Sequence, residues 1–384
     1  HWSRMRGGLP VVPIYDLKIK HGDLIAATHG RSFWILDDLS PLRQLTTDLH
    51  EVQLITPRDT VRSRLSWSAG SSLGKKGISY GPAFGIGGSS ESVTLPDGTS
   101  SRVYLDVGEG APGGALVHYW LPEGFKGSVR LRILDAKGRE IRSVDSSRAQ
   151  LSAAKRPSVK HGLNRWSWDL RHQGPVALDK SLMSRRNLPL VAEGDDLDGP
   201  IVNPGRYTVV LETGSQSLQA SFLVIKDPRV KAPQRAFEQQ GALLSQLYGQ
   251  WSHLNEGVNR LRSIKMQLEA LSHRLSLAPK ALRSQATSLQ LSLAAIEANL
   301  VDVKRESPRD VLRHPAGLDD TLVDLINVVA IADEAPTHQA RQVSDEIMAR
   351  VESELSKLRA CETHDLAALN AALRSAGLQV LGLP

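Results

Sequence analysis

The strongest periodic pattern in the chain is a stripe of apolar residues at helical spacing between Ala236 and Leu275. Apolar residues recur there three or four positions apart, the spacing that places side chains on one face of a helix. They are Leu244, Leu247, Trp251, Leu254, Val258, Leu261, Ile264, Leu268, Leu271 and Leu275. Before Ile264 the three-residue step occurs twice in succession, and such a stammer overwinds a coiled seam. The pattern therefore predicts a bundle helix rather than an extended coiled coil.

Four further helices are predicted after this one. Proline and glycine separate them, and Thr337 and Thr363 stand where N-terminal caps of the last two would be. The predicted spans are Pro279–Arg305, Leu318–Asp333, His338–Ala360 and Asp365–Ala376. Residues 234–384 are thus predicted to form a C-terminal antiparallel helical bundle.

The beginning of the chain carries a different period. Polar and apolar residues alternate over Ile14–Lys20, and short apolar runs follow at Leu24–Thr28 and Phe33–Leu36, with turn residues between them. Three strands joined by tight turns form a meander, but so few residues bury too little surface to be stable alone. Edges that are neither paired nor covered bind other strands. We therefore expect the remaining strands to come from elsewhere in the chain or from another chain.

Alternation returns after a stretch rich in glycine and serine. Residues 52–100 are predicted to be a linker or long loop, and residues 101–228 contain about seven short strand patterns. That spacing is typical of an immunoglobulin- or fibronectin-like β-sandwich. Trp166 and Trp168 lie two positions apart and hence on one face of a strand, where they either pack in the core or stack on a sugar. Tyr119 and Trp120 point to opposite faces, so one of them is expected at a surface.

Thr28–Asp38, with the sequence THGRSFWILDD, resembles a segment of a known family. It is similar to the closing blade of the large bacterial sortilin-like β-propeller proteins of the BNR, or Asp-box, type. The resemblance implies that residues 1–51 form a terminal propeller blade segment. The other blades and any Asp-box are missing from this chain. Further similarity to modules of the same family occurs at Gly162–Arg171, Asn203–Leu211, Leu254–Leu271 and Leu318–Gln339.

The resemblance carries expectations about location and processing. The chain begins at His1 without an initiator methionine, and the family reading makes it the C-terminal part of a longer protein, with His1 at a cleavage site or boundary. It also implies a secreted, periplasmic or cell-surface location. The single Cys361 excludes a disulfide within the chain, and its helical setting predicts a small buried hydrophobe rather than a nucleophile.

Composition narrows the choice of partner. The 384 residues are 41% hydrophobic and 23% charged, which is ordinary for a soluble globular protein. The formal charge of +6 permits an anionic partner, but basic and acidic residues are interleaved, so nucleic-acid binding is not favoured. An anionic-polymer binder would lose affinity steeply with salt. The chain contains no apolar run of 18 residues, so no transmembrane segment is predicted.

The candidate chemical motifs are weak. Gly70–Gly74 fits G-x-S-x-G formally, but its flanks lack the strand and helix that a nucleophile elbow requires. Glu193–Gly199 is an acidic loop that could attract calcium, although it lacks the EF-hand spacing and fits a solvated loop better. His29, Arg31, Asp37 and Asp38 are interpreted as turn and strand-end residues. No catalytic, cofactor-binding or metal-binding residue is assigned, and no cofactor is expected.

Two functions remain open from the sequence. The first is a non-catalytic binding or assembly module, the C-terminal part of an exported β-propeller protein that associates with further blades or a larger complex. The second is a fragment of a carbohydrate-active, glycosidase- or sialidase-like hydrolase with its active site on the missing blades. The second would keep Trp166 and Trp168 exposed for a carbohydrate. The residues proposed for interaction are Trp34, Trp120, Trp166 and Trp168.

Overall fold

A computed structural model describes most of the chain. The described residues are 9, 11–45, 49–63, 90–94, 100–104, 113–147, 156–182, 197–214, 216–304 and 313–383. They divide into two compact units, one of β-sheets and one mainly of helices. The first comprises residues 1–171 and 201–230, and the second comprises residues 172–200 and 231–384.

The chain begins with a three-stranded antiparallel meander, here called the N-terminal sheet. Its strands are β1 (Ile14–Lys20), β2 (Asp23–Thr28) and β3 (Phe33–Leu36), and β2 is the central strand. Each strand begins and ends within one residue of the bounds predicted from alternation and turn residues. A short helix, α1 (Ser40–Gln44), follows, with proline in its first turn, where a missing N–H costs nothing.

Two larger sheets make up the rest of the first unit. Their strands are β4 (Gln53–Leu54), β5 (Thr60–Arg62), β8 (Ala115–Leu121), β9 (Val129–Leu134), β10 (Glu140–Asp145), β11 (Gly162–Trp168), β12 (Gly205–Thr213) and β13 (Gln216–Lys226). One sheet has the strand order β10-β9-β12-β13-β5, and the other has the order β11-β8-β4. A separate pair is formed by β6 (Ser90–Thr94) and β7 (Ser100–Tyr104).

Both larger sheets contribute to one hydrophobic cluster. Alternate residues of β9 and β11 are buried, as expected for strands with one face on a core. Trp168 lies at the centre of this cluster, with Tyr207 and Phe222 packed at angles against its ring. Gly114 makes this packing close, because a β-carbon there would lie 1.9 Å from the carbonyl oxygen of Trp168.

Part of the stretch predicted as a linker is sheet. β4 pairs with β8, and β5 pairs in parallel with β13. Arg62 in β5 is buried and donates from Nε to the carbonyl of Val202 at 2.7 Å. The prediction was wrong here because strands of two and three residues are too short to show alternation. Residues 64–89 and 95–99, which include the G-x-S-x-G motif at 70–74, lie outside the described residues.

The second unit is helical. Its helices are α2 (Gln234–Ala270), α3 (Ser272–Ser276), α4 (Lys280–Leu300), α5 (Leu318–Ala330), α6 (His338–Ala360) and α7 (Leu366–Ser375). The predicted stripe is buried in a single hydrophobic cluster to which α4, α5, α6 and α7 contribute. The predicted single helix is interrupted at Leu271, so the last leucine of the stripe, Leu275, lies in α3. The preceding segment is held along α2 by Asn255 and Asn259, whose amides donate to the carbonyls of Val176 and Ala177.

The two predicted threonine caps have different outcomes. The Thr337 hydroxyl accepts a hydrogen bond from the Ala340 N–H at 3.1 Å, so it caps α6 as expected. Thr363 caps nothing, because a π-helical turn at Cys361–Asp365 joins α6 to α7. Its hydroxyl donates instead to the Arg359 carbonyl one turn back. Cys361 is buried, and burial raises the pKa of its thiol, which suits a packing residue.

A charged group is buried inside the helical unit. Glu297 on α4 accepts from Nε of Arg262 at 2.7 Å and from Nζ of Lys265 at 2.6 Å. Burial alone would raise the pKa of Glu297, but the hydrogen bonds from Lys265 and Arg262 outweigh burial and hold it below its usual value. This arrangement ties α2 to α4 by paired charges, since neither Arg262 nor Glu297 is solvated.

Candidate functional site

One face of the N-terminal sheet is made mainly of apolar side chains. Residues directly opposite one another in antiparallel strands share a face, and β2 is paired with β1 through Leu17↔Ala26 and with β3 through Ala26↔Trp34. Extending this register along the strands defines what we call the apolar face. It consists of Leu17, Ile19, Leu24, Ala26, Trp34 and Leu36. The same side of the sheet ends at Thr28, whose hydroxyl donates to the Ser32 carbonyl.

Most of the apolar face is open to solvent. Leu17 and Ile19 are 61% and 59% exposed, Trp34 and Leu36 are 39% and 38% exposed, and only Ala26 at the centre is buried. Large contiguous apolar patches are uncommon on soluble proteins and mark interaction surfaces. A sheet usually packs one face on a core, whereas most of this face is exposed to solvent.

The opposite face of the N-terminal sheet is mixed. β1 places Asp16, Lys18 and Lys20 there, whereas β3 places Phe33 and Ile35 there. Phe33 is 71% exposed and Ile35 55% exposed. β3 therefore presents apolar side chains on both faces, while β1 has one charged face and one apolar face.

The N-terminal sheet is fastened at one end. The carboxylate of Asp23 accepts from Nη1 of Arg58 at 2.6 Å and from the backbone N–H of Asp38 at 2.8 Å. The backbone N–H of Leu39 donates to the carbonyl of Gly22 at 2.8 Å. Arg58 also donates to the carbonyl of His21. These bonds hold the β1–β2 turn and the end of β3 against the segment that leads into β4 and β5.

Asp38 and His118 are buried next to the hydrogen bonds that fix this end of the N-terminal sheet. Asp38 Oδ1 accepts from the Ser40 N–H at 2.9 Å, and Asp38 Oδ2 lies 3.6 Å from Nδ1 of His118 on β8. With Asp23, Asp37, Arg58 and Arg165, these two residues form what we call the polar junction. Asp38 adopts a left-handed backbone conformation with φ of 63°, which an aspartate tolerates better than most residues.

The electrostatics of the polar junction are set mainly by burial. Burial raises the pKa of Asp37, with Asp23 adding to the effect and Arg165 and Arg58 opposing it. Burial lowers the pKa of His118, against the pull of Asp38. The side chains of Asp38 and His118 are almost inaccessible to solvent. The polar junction therefore joins the N-terminal sheet to β8 through buried polar groups.

The four tryptophans predicted for interaction fall in different environments. Trp34 lies on the apolar face, and its indole N–H donates to the Arg31 carbonyl at 3.0 Å, so its outer surface is all carbon. Trp120 is half-buried, donates to the Leu49 carbonyl at 2.9 Å and contacts the His161 ring by its edge. Trp166 and Trp168 share a face as predicted, and both are buried in the core. Neither can stack on a carbohydrate.

The remaining predicted motif residues are turn residues or are only partly described. The centroids of the His29 and Tyr15 rings lie 5.0 Å apart, and the backbone N–H of His29 donates to the Pro13 carbonyl. Most of the acidic loop at 193–199 lies outside the described residues. Among the residues that the structure does describe, no group of three or more acidic, histidine or cysteine side chains could hold a metal ion.

Sequence reasoning missed the partners of the polar junction. Asp23 was predicted only as a turn residue, and Arg58 fell within the predicted linker. They are 35 positions apart, and His118 and Arg165 are farther still. β8 is buried on both faces, so alternation along the strand could not place His118 in the interior. No local pattern connects these residues, because the contact exists only once the strands have paired.

Comparison with known proteins gives no relative from which a function could be transferred. No family model matches the chain, and neither a curated protein nor a solved structure matches it. Among the described residues, no helix is long and apolar enough to cross a membrane.

Proposed function

We propose that this chain is a non-catalytic binding and assembly module, and that the N-terminal sheet is its docking element. Its partner is further β-structure of the propeller-blade type, which packs on the apolar face. In this proposal the two larger sheets form a β-sandwich and the helices form an antiparallel bundle, and both serve as scaffold. The resemblance of Thr28–Asp38 to the sortilin-like propeller family further suggests that the protein acts outside the cytoplasm.

The observation that carries the proposal is the apolar face itself. Six neighbouring positions on this side of the sheet are apolar, and four of these side chains lie at least one third in solvent. A second observation limits the possible partner. The other face also exposes Phe33 and Ile35, so both faces of β3 have apolar surface to cover. A strand with apolar side chains on both faces is typical of a layer that lies between other layers, which is the position of a propeller blade.

The energetics indicate that the partner must be extensive. The exposed parts of Leu17, Ile19, Trp34 and Leu36 amount to about two whole side chains, worth about 3–6 kcal/mol when buried. Association costs at least about 4 kcal/mol in lost translational and rotational freedom. Burial of this face alone would give weak binding, and a stable complex needs further contacts on the same partner.

Site-directed charge on the apolar face tests the proposal. The double variant Leu17→Glu with Ile19→Lys should abolish binding of a hydrophobic dye at the N-terminal sheet and any concentration-dependent association seen by native mass spectrometry. It should also leave the unfolding of both units almost unchanged, because these side chains already lie in solvent. The matched control is Leu291→Glu, which alters an equally exposed leucine, 66% in solvent, on a helix of the other unit.

Cross-linking in the natural source identifies the partner. Lys18 and Lys20 lie on the opposite face of β1, next in sequence to Leu17 and Ile19, and are exposed, so amine-reactive cross-linkers reach them. We expect links from these lysines to β-structure outside residues 1–384. A lone monomer without such links, in which the amides of the N-terminal sheet exchange freely and dye binding equals that of the charged double variant, would refute the proposal.

The carbohydrate-hydrolase alternative has lost its structural basis within this chain. Its prediction required Trp166 and Trp168 to form an exposed platform, and both are buried. Trp34 is the exposed tryptophan of the four, and its surroundings on the sheet are aliphatic. We therefore propose only the assembly function.

A further inference from the structure

The two outer strands of the N-terminal sheet differ in how their edges are protected. Neither β1 nor β3 pairs with another strand within the described part of the chain. β1 carries Asp16, Lys18 and Lys20, and its register is interrupted between Ile14 and Asp16. Charged side chains and bulges are the devices by which proteins prevent strands from adding to an edge. β3 has neither, since its four residues are Phe33, Trp34, Ile35 and Leu36.

The hydrogen-bonding groups that β3 offers at its edge can be identified. The Thr28 N–H donates to the Ser32 carbonyl at 3.2 Å, which makes Thr28 and Ser32 a hydrogen-bonded pair. Such pairs alternate along an antiparallel ladder with pairs whose groups point outward. Trp34 and Leu36 therefore bond to β2, while the N–H and C=O groups of Phe33 and Ile35 point away from it.

We propose that the edge of β3 accepts an extended, uncharged β-strand, supplied by the same partner that covers the apolar face. The N–H and C=O groups of Phe33 and Ile35 make the hydrogen bonds. The inference rests on the proposed function, because it names how that partner is held. The strand must be uncharged because its side chains would lie beside Trp34 on one face and beside Phe33 and Ile35 on the other.

Pairing of a partner strand with the edge of β3 supplies the further contacts that stable binding requires. Strand addition joins the backbone of the partner to the sheet, and each net hydrogen bond adds to the burial of the apolar face. The same strand would cover part of Phe33 and Ile35, which the apolar face leaves exposed. Face and edge together therefore bind a single partner in one register.

A peptide probe tests the edge directly. The probe is a labelled synthetic peptide with the sequence of residues 31–38, Arg-Ser-Phe-Trp-Ile-Leu-Asp-Asp, whose central four residues are uncharged and whose charged ends keep it soluble. Amide exchange is followed by NMR in the full chain. Without peptide, we expect the Phe33 and Ile35 amides to exchange rapidly and the Trp34 and Leu36 amides slowly. With peptide, exchange at Phe33 and Ile35 should slow selectively.

Two protein variants separate the backbone from the side chain. Ile35→Pro removes an N–H that points outward and leaves the bonds to β2 intact, so it should weaken peptide binding about fivefold or more. Ile35→Ala keeps that N–H and should bind within about twofold of the wild type, since this side chain is only partly covered. Slow exchange at Trp34 in Ile35→Pro checks that β3 still pairs with β2.

The possible results distinguish the inference from the proposed function. If the Ile35→Pro variant binds as the wild type does, or protection falls on other amides, the edge is not used and the inference is overturned. The proposed function stands in that case provided that Leu17→Glu with Ile19→Lys still abolishes peptide binding. If Phe33 and Ile35 become protected without peptide as chain concentration rises, a second copy occupies the edge, and the inference of a separate partner strand is overturned.

Discussion

Oδ2 of Asp38 lies 3.6 Å from Nδ1 of His118, and both side chains are almost wholly buried at the base of the N-terminal sheet. The pair joins the bend after β3 to β8 in the larger sheets. Burial lowers the pKa of His118, Asp38 opposes this effect, and Arg165 and Arg58 add to it. The histidine is therefore held neutral in the folded state at neutral pH.

We expect the stability of the first unit to fall as the pH drops below 6.5. The unfolded chain binds a proton at His118 near pH 6.5, whereas the folded chain binds it only at lower pH. Between these values the unfolded state holds more protons, so acidification favours unfolding. Amide exchange of β8 at pH 7.5 and pH 5.5 measures the change, and His118→Gln should reduce it. An equal loss in both proteins would contradict this assignment. The raised pKa of Asp37 favours the folded state on acidification, and this effect is present in both the wild type and His118→Gln.

The helical unit should depend strongly on Glu297. Glu297→Gln leaves the Arg262 guanidinium buried without its charged partner and should lower the free energy of unfolding by about 3–5 kcal/mol. The control is Glu352→Gln, which breaks an exposed pair with Arg359 and should cost less than about 1 kcal/mol. Urea unfolding of both variants at pH 7 provides the comparison. Because the pKa of Glu297 is lowered, its stabilisation is present at neutral pH and is lost as the pH falls through that pKa. Equal losses in free energy of unfolding for the two substitutions would show that the buried pair stabilises the protein no more than the exposed pair does.

Two tryptophans predicted for interaction should respond differently to truncation. Trp168→Ala opens the core of the larger sheets and should cost about 3–5 kcal/mol, as removal of a buried aromatic side chain does. Trp34→Ala should cost distinctly less, about 1 kcal/mol, because this side chain is 39% exposed, and it should reduce hydrophobic dye binding. Thermal unfolding and dye titration of the same samples give both quantities. A strongly destabilised Trp34→Ala variant would mean that Trp34 is part of a core.

Two glycines with similar backbone conformations form a matched pair. Gly114 has φ of 81° and Gly124 has φ of 79°, but only at Gly114 would a β-carbon meet other atoms, 1.9 Å from the Trp168 carbonyl. Gly124→Ala should therefore cost only the left-handed strain of about 1–2 kcal/mol. Gly114→Ala should cost distinctly more, because β8 and β11 must separate. Equal losses in chemical denaturation would refute the close approach.

The sequence predicted element bounds best where local residues determine them. The turn at His21–Asp23 and the cap at Thr337 each lie within a few positions of the element that they limit. α6 was predicted with its observed ends, His338 and Ala360. The tryptophan pair in β11 was placed on one face correctly, because strand periodicity alone decides it.

Features that depend on distant residues were not predictable in this way. β5 is a strand because β13, more than 150 residues later, provides its ladder. The π-helical turn at Cys361–Asp365 replaces a predicted helix break, because the residues there lack the glycine that would end α6. Arg58 became part of the polar junction only through the packing of segments that have no common local pattern. The propeller and sandwich assignments remain predictions from resemblance and strand spacing.

The indole N–H of Trp34 is already engaged by the carbonyl of Arg31, so the polar group of this side chain is paired within the sheet. Contacts between apolar side chains are not directional, so a partner could slide or rotate on them. In the proposed complex, the backbone N–H and C=O groups of β3 would set the orientation of the partner, and burial of the apolar side chains would supply the affinity.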